Sequence, residues 1–258
     1  MKKEGAIGII IQARMGATRL PGKMVRPFHG EKGVMELLLQ RLKERFSTQK
    51  GVVMLVATTV NPMDDLLATI AEKWDFPLFR GEEEDVLQRF IDAASSAGVE
   101  KLIRVCADNP FLDMDTLEEL ISRIAVQLQD YIAFSTSQGM PTIKTHWGFW
   151  PEAVSLDALK RVAHETTEKL YREHVTNYIY THPEYFDIEL IPIPKEVEEK
   201  KDIRLTLDTP EDFEMQRIIY ARSLERHGKI DIASVLETLE AFPGFYLRMR
   251  QQILLNTK

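Results

Sequence analysis

Three cations and two glycines crowd into ten residues: Arg14, Gly16, Arg19, Gly22 and Lys23 follow the apolar run Ile9-Ile10-Ile11-Gln12-Ala13. That chemistry suits a polyphosphate. Glycines let backbone N–H groups approach phosphate oxygens, and the cations supply countercharge. The spacing is not that of the common phosphate loop. Five residues, not four, separate Gly16 from Gly22, and Met24 stands after Lys23 where Ser or Thr is required. No G-x-G-x-x-G is present either, so a dinucleotide fingerprint is excluded. Lys23 is expected to face solvent. A plain basic surface loop turning at Pro21-Gly22 is the alternative, but it gives no reason for so many cations at one strand end.

Two carboxylates occupy matching places. Asp108 lies in Cys106-Ala107-Asp108-Asn109-Pro110 and Asp208 in Leu205-Thr206-Leu207-Asp208-Thr209-Pro210, each after an apolar run. At two strand ends facing a triphosphate they would hold Mg²⁺ through oxygen ligands. Each also precedes a proline and a helix, so helix capping is the competing role. Asp113 and Asp115 sit at a helix start and read as capping residues. Asp85 and Arg89, four residues apart, either line a ligand site or form a pair on an exposed helical face. Cys106 lies in an apolar run and reads as a small buried residue. His164-Glu165-x-x-Glu168 lacks the second histidine of a zinc helix. Trp147, Phe149 and Trp150 read as core or interface more than as a sugar platform.

The elements that must position these groups alternate. Strand-type runs at 6–11, 52–58, 77–79, 102–106 and 131–135 are separated by helical patterns at 34–46, 64–74, 83–94 and 114–126. Continuous apolar strands between helices indicate a mostly parallel sheet with helices on both faces, a doubly wound α/β fold. Ligands of such sheets bind beyond the strand C-termini, where Arg14 and Asp108 fall. After Ser135 the rhythm changes. An extended aromatic stretch at 142–155 is followed by helices at 156–163 and 169–181, a strand at 186–193, a charged loop at 194–201 and a strand at 203–207. Helices at 210–226 and 231–241 and a basic amphipathic tail close the chain. The reading is a single domain over 1–258, with 137–200 as an inserted lobe that touches substrate or a second subunit.

Composition narrows the function classes. The chain has 258 residues, 44% hydrophobic and 28% charged, which is ordinary globular protein. A net charge of −7 argues against general nucleic-acid binding and makes the basic loop stand out. One cysteine excludes an intrachain disulfide and fits a reducing compartment. The N-terminal apolar stretch is too short for a signal peptide or membrane span, so a cytoplasmic protein is expected.

Residues 10–23 resemble the opening motif of the sugar cytidylyltransferases of the spore coat polysaccharide protein F type, relatives of the CMP-Kdo and CMP-sialic acid synthetases. Further matching pieces follow in order. They are Thr58-Thr59-x-Asn61-Pro62-x-Asp64-Asp65, Arg80-Gly81-x-x-x-Asp85-Val86-Leu87-x-Arg89, Asp108-x-Pro110-x-x-Asp113, Arg172-Glu173-His174-Val175-Thr176 and Asp202-Ile203-Arg204-Leu205-Thr206-Leu207-Asp208-Thr209-Pro210-Glu211-Asp212. The resemblance implies the nucleotide-diphospho-sugar transferase type of fold and a homodimer. It also implies attack of an acidic 2-keto sugar on the α-phosphate of CTP, with release of pyrophosphate. Arg14, Arg19 and Lys23 would act on the phosphates, and Asp108 and Asp208 on Mg²⁺. Gln12, Ala13, Gly16, Thr58, Thr59 and Asp85 would bind the nucleotide. His146, Arg172 and His174 would bind the acceptor, with the fork of Arg172 on its carboxylate. Ala17 stands where that family usually has Ser, and Thr145–Trp150 looks more like the Kdo enzymes. A glycosyltransferase, or a catalytically silent nucleotide-binding member, are the alternatives.

Overall fold

The computed structural model describes residues 5–256. In chain order the strands are β1 (Ile7–Gln12), β2 (Val52–Thr59), β3 (Leu78–Gly81), β4 (Lys101–Cys106), β5 (Tyr131–Ser135), β6 (Glu152–Ser155) and β7 (Ile188–Pro192). The longer helices are α1 (Val34–Phe46), α2 (Asp65–Lys73), α3 (Val86–Ala97), α4 (Met114–Val126) and α5 (Leu156–Glu165). Short helices α6 (Lys169–Glu173), α7 (Asn177–Thr181) and α8 (Lys195–Glu198) follow, then α9 (Pro210–His227), α10 (Ile232–Ala241) and α11 (Gly244–Leu255). All seven strands form one sheet in the order β3-β2-β1-β4-β6-β5-β7. The pairings are parallel except those of β6, which runs antiparallel between β4 and β5.

Alternation along the strands makes two cores. Ile7, Ile9 and Ile11 point to the face covered by α1 and α4, with Ile103 and Val105 beside them. Ile10 points to the other face with Leu102, under Phe90 and Ile91 of α3 and Leu159 of α5. Both faces of β1 are buried, which is why it reads as an unbroken apolar run. Residues 137–200 join this sheet directly, because they supply β6 and β7.

The structure redraws several elements in the second half. The expected helix at 169–181 is broken between Glu173 and Asn177 into α6 and α7. The expected strand at 203–207 is absent: this stretch carries no regular structure, and the Leu205 N–H donates to the His146 carbonyl at 2.7 Å, outside any ladder. The stretch from 142 opens with a single 3₁₀ turn at Thr142–Lys144. Trp147, Phe149 and Trp150 are buried against one another and against Phe134, with edge-on contacts of 5.8 and 5.5 Å. That segment is therefore core, and it supplies no exposed aromatic surface for a second subunit.

Candidate active site

The sheet aims the key residues at one place. The ladder runs one residue beyond the strands, with Ala13 N–H donating to Ala57 O at 3.1 Å and Ala107 N–H to Gln12 O at 2.9 Å. Arg14 and Asp108 are thus the first residues off the sheet at two neighbouring strand ends. They open a cleft of about 510 Å³. Gln12, Arg14, Gly16, Ala17, Thr18, Arg19 and Lys23 form one side of it. Arg104, Cys106, Asp108 and Asn109 form its floor, and Thr142, Thr145, Gly148, Trp150, Glu173, His174, Thr206 and Asp208 close it. A larger hollow of about 810 Å³ lies between α1, α4 and α9, away from these chain ends. Its cations are already engaged: Arg41 donates to three backbone carbonyls, Arg45 to Asp115 and Glu118, and Lys229 pairs with Asp231.

Lys23 differs from expectation. It is only 8% exposed, and its Nζ sits 2.5 Å from Asp108 Oδ2 and 2.7 Å from the Leu207 carbonyl. The turn at Gly22, with φ of +70°, folds the chain back and carries Lys23 inward. Arg19 stays largely exposed and reaches Asp208 Oδ1 at 3.1 Å. Arg14 approaches Glu173 at 3.7 Å. The loop's cations thus rest on the carboxylates around them.

Neither Asp108 nor Asp208 caps a helix. Asp113 caps α4 by accepting from Thr116 N–H at 2.8 Å, and Thr209 caps α9 in a reciprocal box with Asp212. Asp208 is held instead by Arg204. That guanidinium is wholly buried and grips Asp212 with two bonds of 2.9 and 2.8 Å, Asp208 at 3.0 Å and His146 Nδ1 at 2.8 Å. Burial works against the Arg204 cation, but the carboxylates of Asp212 and Asp208 outweigh it, and its pKa is raised. Since a guanidinium only donates, His146 Nδ1 accepts. His146 is therefore a brace behind the cleft wall, while Gly148 stands in the wall itself. At Gly148 φ is +70°, and a Cβ there would come within 2.7 Å of the Leu205 carbonyl.

Other residues expected in the site lie elsewhere. Thr58 and Thr59 are fully buried beneath the loop, where both hydroxyls donate to Asp64, at 3.0 and 2.5 Å. The same carboxylate accepts the Met15 N–H at 2.7 Å. Asp64 thus anchors the phosphate loop. It follows the Asn61-Pro62 turn, in the matching piece Thr58–Asp65, where the motif gives no hint that the carboxylate serves the loop. The Ala13 side chain is core, and its N–H is spent on Ala57. Asp85 caps α3 through Gln88 N–H and pairs with Arg172 at 3.2 Å. Arg172 also donates to the Ala163 carbonyl, so it staples α6 to α3 and α5 and does not line the cleft. Arg89 is not on an exposed face. It is fully buried, donates to the carbonyls of Glu82 and Glu83, and keeps Nε and Nη2 without a hydrogen-bond partner among the described residues. Burial and the nearby Arg14 lower its pKa, against the pull of Asp64, Glu83 and Asp85. Burial pushes the Cys106 thiol up, which keeps it protonated and a poor nucleophile. Arg104 was missed from sequence because it lies inside a strand, where it reads as an interruption of the apolar run.

No group of three or more His, Cys, Asp or Glu side chains poised for a metal occurs among the described residues. No described helix is long and apolar enough to cross a membrane.

Residues 8–242 match the model of the family described as Cytidylyltransferase. The chain is 35% identical over 219 residues to the spore coat polysaccharide biosynthesis protein SpsF of Bacillus subtilis, covering 84% of this chain and 87% of that protein. A solved cytidylyltransferase from Leptospira borgpetersenii superposes with a TM-score of 0.78 at 27% identity, covering 93% of this chain and 96% of that one. CMP:2-keto-3-deoxy-manno-octonic acid synthetase, solved with CTP, shares the fold at a TM-score of 0.62 and 14% identity, over 85% of this chain and 100% of its own. The nucleotidyltransferase fold, the anchored cationic loop at the sheet's C-terminal edge and the match over nearly the whole chain agree, and the protein belongs to the cytidylyltransferase family.

Proposed function

We propose that the protein transfers the cytidylyl group of CTP to an acidic 2-keto sugar, releasing pyrophosphate, in the cytoplasm and for surface polysaccharide or glycoconjugate synthesis. The observation that carries this is the convergence of Arg14, Arg19 and Lys23 with Asp108 and Asp208 on one cleft. A sugar hydroxyl attacks the α-phosphate and gives its proton up to solvent, the bond to the β-phosphate oxygen breaks, and the cations stabilise charge on the leaving pyrophosphate. Arg19, exposed and resting on Asp208, is the side chain that an arriving triphosphate would draw across.

Asp108 and Asp208 fit a magnesium site. Both are carboxylates facing the phosphate loop, neither is needed as a cap, and Mg²⁺ typically takes one or two protein carboxylates with phosphate and water completing its shell. When bound, the ion would neutralise charge on the α-phosphate. The acceptor would lie against Thr142, Thr145, Trp150 and His174. The basic group on that wall is His174, since Arg172 is committed to Asp85 and Arg104, on the floor, to Glu152.

A pyrophosphate-release screen of four nucleotides against a panel of 2-keto sugar acids tests the reaction. In calorimetry with Mg²⁺, CTP is expected to bind at least about tenfold more tightly than ATP or GTP, a difference of about 1.4 kcal/mol. Equal affinity for all four would mean that only the triphosphate is read, and would remove the cytidylyl assignment.

A homodimer is expected as well. Because the aromatic stretch 147–150 is internal, the contact would use other parts of 137–200, where Leu170 and Tyr185 are exposed. Light scattering should give the mass of two chains; a single-chain mass at micromolar concentration would refute the dimer.

A further inference from the structure

We propose that Arg104 is a positioning residue that fixes the carboxamide of Gln12 so that its NH₂ group faces the nucleotide. The inference rests on reading the cleft as a CTP site. Arg104 and Gln12 project from adjacent parallel strands onto the same face of the sheet, where Arg104 Nη2 donates to Gln12 Oε1 at 3.2 Å. A guanidinium has donors only, so the amide oxygen must turn toward it and the amide nitrogen away from it. Gln12 lines the cleft, immediately before the phosphate loop. Its two N–H donors are thereby turned from the Arg104 side, toward a ligand that is rich in acceptors.

Arg104 is itself held from behind. Its Nη1 donates at 2.7 Å to Glu152, which is 2% exposed and lies directly opposite Arg104 in the antiparallel β4–β6 pair. The other oxygen of Glu152 accepts from Tyr131 OH and, at 2.8 Å, from Thr176 Oγ1. Thr176 follows His174 by two residues in the break between α6 and α7. The network therefore ties the tip of β1 to the corner that carries His174. The Glu152 carboxylate is fully engaged, and although Arg104 Nε has no hydrogen-bond partner among the described residues, its two other guanidinium nitrogens are held, so the Gln12 amide is oriented before any ligand arrives. The antiparallel insertion of β6 makes this possible, because it brings a carboxylate to the inner side of β4.

Calorimetric titration of CTP with Mg²⁺ into four proteins tests the proposal: wild type, Arg104→Lys, Gln12→Ala and the double variant. Lysine keeps the charge for Glu152 but lacks the fork whose second arm holds Gln12, and its expected effect is a roughly tenfold weaker Kd, the size of one lost oriented hydrogen bond. Gln12→Ala should lose about the same, and the double variant should lose no more than Gln12→Ala alone, because Arg104 acts through Gln12. Additive losses, about a hundredfold in the double variant, would overturn the proposal. Should Arg104→Lys fail to fold, Gln12→Glu decides the matter. It keeps the size and the bond to Arg104 but has no donors, so CTP should bind at least about tenfold more weakly with the melting temperature retained. Wild-type CTP affinity in Gln12→Glu would overturn the proposal. Failure of the wild-type protein to bind CTP at all would refute the cytidylyl reading, and this inference with it.

Discussion

Asp108→Asn is expected to lower turnover by about a thousandfold, close to 4 kcal/mol of transition-state stabilisation, with the fold intact. The side chain is part-exposed in the cleft and caps nothing, since Asp113 caps α4. Asparagine keeps an oxygen for Lys23 Nζ, so the 2.5 Å contact is replaced by a weaker one and is not lost. What disappears is a full negative charge at the end of β4. If that charge holds Mg²⁺, the loss should grow as magnesium is lowered and ease as it is raised. Steady-state pyrophosphate release across a magnesium titration, with a melting curve for each protein, makes the measurement. Turnover within threefold of wild type would take Asp108 out of the metal site.

Asp212→Ala is expected to cost stability on the order of 3–5 kcal/mol. Asp212 and Arg204 are both fully buried, and the carboxylate accepts two bonds from the guanidinium plus the N–H groups of Asp208 and Thr209, at 3.1 and 3.0 Å. Alanine leaves the Arg204 cation with Asp208 as its remaining carboxylate partner, besides the neutral contact to His146, and removes half of the capping box of α9. Such a pair adds modest net stability while whole, but breaking it strands a charge in the interior. Denaturant unfolding gives the number. Activity should fall too, because Asp208 is aimed by these same bonds. A loss below about 1 kcal/mol would show that water reaches Arg204 and that the pair is not a buried one.

The sequence by itself was enough to determine the α/β class, the first five strands and the place of the cationic loop. These are local properties. An apolar run buried on both faces, such as Ile9–Ile11, and helical spacing, such as Leu38 and Leu42 in α1, depend on neighbours a few residues away. The motif order also pointed to the family that the comparison then showed. Tertiary structure alone decided which polar side chains face ligand and which face protein. Asp85 and Arg172, which look like a nucleotide reader and an acceptor clamp, satisfy each other 87 residues apart in the chain. Thr58 and Thr59 serve Asp64, and His146 braces Arg204. Lys23 turns inward because Asp108, 85 residues on, waits for it. The antiparallel β6 likewise left no local mark, yet it supplies the Glu152 that holds Arg104. A strand's periodicity says which residues share a face, but a buried charge finds its partner across the fold, and the free energy that selects the pair is carried by contacts that no window of sequence contains.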